Sequence, residues 1–282
     1  MTSLSNLKIS FIGGGNMASA LIGGLINQGA KASNIFVADP FEGTRARLKT
    51  EFNVASKESI SALSEQIKTS DVLVLAVKPQ QFKEAAAELK STLETSEKKP
   101  LCLSVAAGIR TQDMGRWLNH QRLIRAMPNT PALIGQGMTG LYASKDASKE
   151  DRLNAENICL AVGKITWVDD EKKIDDITAV SGSGPAYVFA FLEALESAGV
   201  AQGLTPEQAR LLASQTVIGA ATLATQSTET PAVLRERVTS KGGTTYAALQ
   251  VLEKKQWAAI LGEAIAAASA RGQEMGEEFG KD

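Results

Sequence analysis

The stretch Phe11-Ile12-Gly13-Gly14-Gly15-Asn16-Met17-Ala18 constrains this chain more than any other. Gly13, Gly15 and Ala18 spell G-x-G-x-x-A, with an apolar run (residues 8–12, KISFI) before them and an amphipathic run after. Over residues 16–28, Ala18, Leu21, Ile22, Leu25 and Ile26 recur at i, i+3, i+4, i+7 and i+8, which is one face of a helix. Gly29 then stands where a helix C-terminal glycine belongs. Strand, glycine turn and helix in that order open a βαβ unit that binds a dinucleotide. Gly13 permits the tight turn, Gly15 lets a pyrophosphate reach a backbone without a Cβ, and Ala18 lets helix and strand pack closely. The N–H groups at the helix N-terminus carry partial positive charge toward the phosphates.

The alternation continues through the first half. Residues 35–38, 72–77, 101–105 and 123–126 read as strands, and 42–52, 81–93 and 112–118 as helices. This predicts a Rossmann-like α/β domain of parallel strands joined by right-handed crossovers. After the polar break Val168-Asp169-Asp170-Glu171-Lys172-Lys173 nearly everything is helical and alanine-rich, over 185–198, 206–225, 231–238, 244–253 and 257–271. Three of these runs begin with proline, which suits a first helical turn. The shift predicts a dinucleotide-binding domain over 1–168 and an all-helical domain over 169–282, in a chain long enough to divide its core. The small-residue run 208–221 suits either packing within the chain or a helix bundle between subunits.

Composition removes several classes. Thirty Lys+Arg against 31 Asp+Glu leave a net charge of −1, with no long-range pull on nucleic acid or anionic lipid. No apolar run approaches the ~18–20 residues of a membrane span, and the N-terminal residues lack a signal-peptide pattern. A cytoplasmic protein is expected. Cys102 and Cys159, both in apolar surroundings, read as buried structural thiols of a reducing compartment. His120 is the single histidine, so neither a His-rich metal site nor a Ser–His or Cys–His arrangement is expected. Its polar neighbours Asn119 and Gln121 place it at the surface.

Ligands of open α/β sheets bind at the carboxyl ends of the strands. Asp39, 21 residues after Ala18, stands where an acid bonds the ribose 2′-hydroxyl of NAD and repels the 2′-phosphate of NADP. Arg45 can pair with that phosphate, so the two residues pull in opposite directions. Alternatively, Asp39 only caps the helix beginning near Phe41. Val77-Lys78-Pro79 and Ala106-Ala107-Gly108 follow later strands and suit a cofactor lying across the sheet edge, although Lys78 reads equally as a solvated lysine. In Met127-Pro128-Asn129-Thr130-Pro131 two prolines stiffen a loop from which Asn129 can offer its amide. Ser181-Gly182-Ser183-Gly184-Pro185 opens a helix and suits a simple cap. Thr239-Ser240-Lys241-Gly242-Gly243-Thr244-Thr245 opens another, and its glycines and hydroxyls form a nest suited to a carboxylate. With no cluster for strong acid–base or metal chemistry, hydride transfer fits, because there the cofactor carries the reactivity.

In these motifs and their order the chain resembles the pyrroline-5-carboxylate reductase family. The matching stretches include Phe11-Ile12-Gly13-Gly14-Gly15-Asn16-Met17, Ala76-Val77-Lys78-Pro79-Gln80, Arg125-Ala126-Met127-Pro128-Asn129-Thr130-Pro131, Ala179-Val180-Ser181-Gly182-Ser183-Gly184-Pro185-Ala186-Tyr187 and Arg237-Val238-Thr239-Ser240-Lys241-Gly242-Gly243-Thr244-Thr245. Lys241 departs from the family, which usually has proline there. The resemblance implies reduction of 1-pyrroline-5-carboxylate to L-proline, the last step of proline biosynthesis, with NADP(H) favoured and NAD(H) the alternative. It adds Asn16 and Met17 to the cofactor residues. It implies that Thr245 stands beside the imine nitrogen as donor or orienting group. Gly242, Gly243 and Thr244, with Ser240, would hold the carboxylate. It also implies a homo-oligomer: a dimer through the helical domain, assembled further into a decamer, with a partner subunit completing the substrate pocket. Two other readings compete: a reductase of another small imino or keto acid, and a nucleotide-sensing module without catalysis.

Overall fold

The glycine turn sits at the middle of a sheet. In the computed structural model, which describes residues 4–281, β1 (Ile9–Ile12) is buried along its whole length. Helix α1 (Asn16–Asn27) follows, then β2 (Ile35–Ala38), α2 (Glu42–Phe52), β3 (Ala55–Lys57) and α3 (Ser64–Thr69). Next come β4 (Val72–Leu75), α4 (Pro79–Thr95), β5 (Leu101–Ser104), α5 (Thr111–Leu118) and β6 (Leu123–Met127). The strand order is β3-β2-β1-β4-β5-β6, all parallel, and the order reverses direction at β1. Every residue of β1, β4 and β5 is buried because helices cover both faces. One apolar cluster, with Phe11, Leu21, Ile22 and Leu25, fills the α1 side. A second, with Leu73, Phe82, Leu89 and Met114, fills the other.

The sheet continues beyond the expected strands. β7 (Gly137–Ala143), α6 (Lys149–Leu160) and β8 (Gly163–Trp167) complete an eight-stranded sheet. β7 runs antiparallel to β6, which corrects the expectation of a wholly parallel sheet. The reason is length: residues 128–136 give nine residues between the strands, and a parallel crossover needs about a dozen or more. Gly137 and Gly140 also dilute the strand signal of β7.

The chain divides into two compact units, one of residues 4–183 with 268–281, the other of 184–267. The expected change at 168 falls just after β8. However, α7 (Lys173–Ile177) and a π-helical turn (Thr178–Gly182) remain with the first unit. They stay because Ile174, Asp175 and Ala179 are buried there and Asp175 pairs with buried Arg125 at 3.0 Å. His120, expected at the surface, is buried, with its Nε2 2.8 Å from the Pro100 carbonyl. Burial holds its pKa below the usual histidine value. Cys102 and Cys159 are both fully buried, and burial pushes each thiol up to about 12.

The second unit is helical throughout: α8 (Gly184–Ala201), α9 (Pro206–Gln226), α10 (Pro231–Arg237), α11 (Thr244–Lys254) and the start of α12 (Trp257–Phe279). From residue 268 onward α12 belongs to the first unit. There Arg110 donates to the Gln273 carbonyl at 3.1 Å and Arg116 to that of Gly280 at 2.7 Å. Within the second unit only Ala209 and Ala213 are buried hydrophobics, while Phe189 is 63% and Leu211 69% exposed.

Candidate active site

A cavity of about 470 Å³ opens beyond the carboxyl ends of β1, β2 and β4. This is the topological switch point, where open α/β sheets place ligands. Gly13 takes φ +92°, and a Cβ on it would lie 2.7 Å from the Ala76 carbonyl oxygen, so no larger residue fits the turn. Gly15 precedes α1 with no side-chain cap and with open space beside its Cα. The N–H groups of the first turn of α1 therefore remain available to an anion. Ala18 is fully buried against the sheet, as close helix packing requires, and Met17 packs on the same core.

Among the predicted cofactor residues, Gly13, Gly15, Asp39, Val77 and Lys78 line this cavity. Pro79 opens α4, and Ala106 is buried in the core. Asp39 is only 6% exposed and makes two contacts at once. One carboxylate oxygen accepts the Gly14 N–H at 2.8 Å, and the other accepts the Phe41 N–H at 2.9 Å. Arg45 donates through one nitrogen to the carbonyls of Asp39 and Pro40, both at 2.8 Å. Asn129 is buried, and its amide is committed to the protein. Its nitrogen donates to the Ser181 carbonyl at 3.0 Å and its oxygen accepts the Met138 N–H at 2.8 Å. It thereby ties the loop after β6 to the π turn.

Sequence reading missed the remaining wall, where Glu58, Glu84 and Glu88 add acids to Asp39. It also missed Thr44, Arg47 and Leu48, which α2 presents to the glycine loop. Their spacing of i, i+3 and i+4 was the available signal.

The predicted carboxylate nest lies in the second unit, at the start of α11. Gly242 takes φ +74°, a conformation glycine adopts without strain. Gly243 caps α11 with no side-chain hydrogen bond, so the first-turn N–H groups, including those of Thr244 and Thr245, are uncapped. The Gly243 N–H itself closes a turn on the Ser240 carbonyl at 3.0 Å, so it shapes the nest and is already occupied. Among the described residues no three His, Cys, Asp or Glu side chains gather to hold a metal, and no helix is long and apolar enough to cross a membrane.

Comparison with known proteins accounts for both halves. The family described as pyrroline-5-carboxylate reductase dimerisation matches residues 171–275, and that of coenzyme F420-dependent NADP oxidoreductases matches 8–108. A pyrroline-5-carboxylate reductase of Pseudomonas aeruginosa is 42% identical over 279 residues, covering 99% of this chain and 100% of its own. The chain belongs to the pyrroline-5-carboxylate reductase family. Solved structures agree with that membership. The pyrroline-5-carboxylate reductase of Coxiella burnetii superposes with a TM-score of 0.89 at 41% identity, over 95% of this chain and 98% of that one. A pyrroline carboxylate reductase of Plasmodium falciparum with NADP bound gives 0.83 at 29% identity, over 96% and 99%.

Proposed function

We propose that this protein reduces the C=N bond of 1-pyrroline-5-carboxylate with NAD(P)H and gives L-proline, the closing step of proline biosynthesis. The observation that carries the reading is a dinucleotide cavity and an uncapped hydroxyl-and-glycine nest in one chain. That chain is matched end to end by pyrroline-5-carboxylate reductases. The cavity fits a dinucleotide, because Gly13 leaves the turn tight and Gly15 leaves its backbone open. NADP(H) is favoured, since the oxidoreductase family matched and the Plasmodium relative are both described with NADP. NAD(H) is the second reading, and the acid wall around Asp39 is the observation in its favour.

When bound, the cofactor supplies a hydride for the C=N carbon of the cyclic imine, which becomes C5 of proline. The chain's own residues bind and orient. Gly13, Gly15, Asn16, Met17 and Ala18 form the turn and helix start that receive the pyrophosphate. Asp39 and Arg45 flank the ribose. Val77, Lys78 and Pro79, with Ala106 and Ala107, border the sheet edge, and Asn129 supports the loop beside it. Ser240, Gly242 and Thr244 hold the substrate carboxylate within a nest shaped by Gly243. The Thr245 hydroxyl orients the imine nitrogen, or donates to it, and a protonated imine is already electrophilic enough to do without a histidine. The protein works as a homo-oligomer in the cytoplasm. The exposed apolar faces of α8 and α9 dimerise, the dimers assemble further into a decamer, and a partner subunit completes the substrate pocket.

The test is direct. Purified protein oxidises NADPH or NADH only when the cyclic imine is supplied, and forms proline one for one. Absence of turnover with either cofactor across neutral pH overturns the assignment.

A further inference from the structure

Two consecutive peptide planes of the glycine loop are held from behind by the segment that follows β2. The Gly14 N–H donates to the Asp39 carboxylate at 2.8 Å. The Gly14 carbonyl accepts from Arg47 at 3.2 Å and from the Ser19 hydroxyl at 3.3 Å. The same Arg47 nitrogen donates to the Ser19 hydroxyl at 2.9 Å, closing a three-membered network. Arg47 Nε is buried and has no hydrogen-bond partner among the described residues. The guanidinium thus accepts an unpaired donor in order to reach the loop, and such donors are costly.

The Gly14 carbonyl and the Gly15 N–H belong to one trans peptide, so they point in opposite directions. Holding the carbonyl toward Arg47 aims the Gly15 N–H away from it, on the residue that lines the cavity. We infer that Arg47 is a positioning residue that preorganises the pyrophosphate-binding loop, acting through the Gly14 carbonyl and Ser19. Its cation also stands behind the loop, where it favours an anion in front. This inference rests on the proposed dinucleotide site. Asp39 gains a second role as well, since its carboxylate braces the same loop from the N–H side, independently of any contact with the ribose.

The experiment is a calorimetric titration of the full-length protein with NADP+ and with 2′-AMP, which has no pyrophosphate. Arg47→Met is expected to weaken NADP+ about tenfold while leaving 2′-AMP within twofold and the melting temperature near that of the parent. Arg47→Lys is expected to keep NADP+ within threefold, because a single nitrogen makes both Arg47 bonds and an ammonium can do the same. NADP+ affinity unchanged in Arg47→Met overturns the inference, and so does equal weakening of NADP+ and 2′-AMP. If Arg47→Met does not fold, Ser19→Ala removes the shared hydroxyl without touching a charge. A threefold or greater loss of NADP+ affinity then supports the network, and an unchanged affinity refutes it. Failure of the parent to bind NADP+ or NAD+ would defeat the dinucleotide site itself, a separate result.

Discussion

The two units of this chain bury themselves to very different degrees. The first closes two apolar clusters over a sheet whose central strands are wholly buried. The second, over 184–267, buries only Ala209 and Ala213 among its hydrophobics and leaves Phe189, Phe191, Leu211 and Ile218 more than half exposed. So many large apolar side chains left exposed in one small helical unit mark an interaction surface. The first unit therefore carries its own stability, whereas in the proposed homo-oligomer the second takes part of its stability from another copy of the chain. Mutations in the first should act on melting, and mutations on the exposed faces of the second on assembly.

The largest expected effect lies in the first unit. Arg125 and Asp175 form an ion pair with each side chain at most 5% exposed, and Arg125 also lies 3.5 Å from Glu171. Arg125→Met leaves two carboxylates without their cation and should cost about 3–5 kcal/mol. That corresponds to a fall of roughly 10 °C in Tm for a unit of this size. A Tm within two degrees of the parent would show that the unit does not depend on this pair. Next comes the second unit. Phe191→Asp with Ile218→Asp, both at exposed positions, should convert the oligomer to monomer by light scattering and lower kcat/KM at least a hundredfold. Calorimetry should meanwhile still show a folded first unit. A fully assembled, fully active double variant would remove these faces from the interface.

Two smaller effects separate the units further. Thr245→Ala, in the second, should lower kcat by roughly tenfold to a hundredfold if the hydroxyl assists the transition state. An unchanged kcat removes it from the mechanism. The smallest effect concerns His120 in the first unit, whose pKa burial holds below the ordinary 6.5. The unfolded chain then takes up this proton more readily than the folded one, so stability is lost as pH falls below about 6.5. The loss is at most about 1.4 kcal/mol over the first pH unit. His120→Gln should flatten that decline in Tm between pH 7.5 and 5.5, and parallel curves for parent and variant would contradict it.

Much of the first unit was legible in the sequence, because its signals are local. The glycine turn, the α1 face and the buried runs of β1, β4 and β5 each follow from a period or a spacing. What escaped reading was set by distant partners. β7 is glycine-diluted, and the register it makes with β6 determines its direction. His120 looked exposed by its neighbours, yet the Pro100 carbonyl holds it inside. Asn129 looked free to meet a ligand, yet Ser181 and Met138, 52 and nine residues away, occupy its amide. Arg47 shares one helix face with Thr44 and Leu48 by its spacing, yet only the fold brings that face to Gly14. The α11 nest was legible as glycines and hydroxyls, whereas the turn that occupies the Gly243 N–H was not.

The proposed roles of the two units converge on one event, the passage of a hydride from a nicotinamide to the C=N carbon of a cyclic imine, the carbon that becomes C5 of proline. The decisive measurement supplies 1-pyrroline-5-carboxylate with NADPH deuterated at both C4 positions and follows the product by mass spectrometry and NMR. The expected product is L-proline carrying one deuterium, at C5. Unlabelled proline, label at any other carbon, or no proline at all would contradict it.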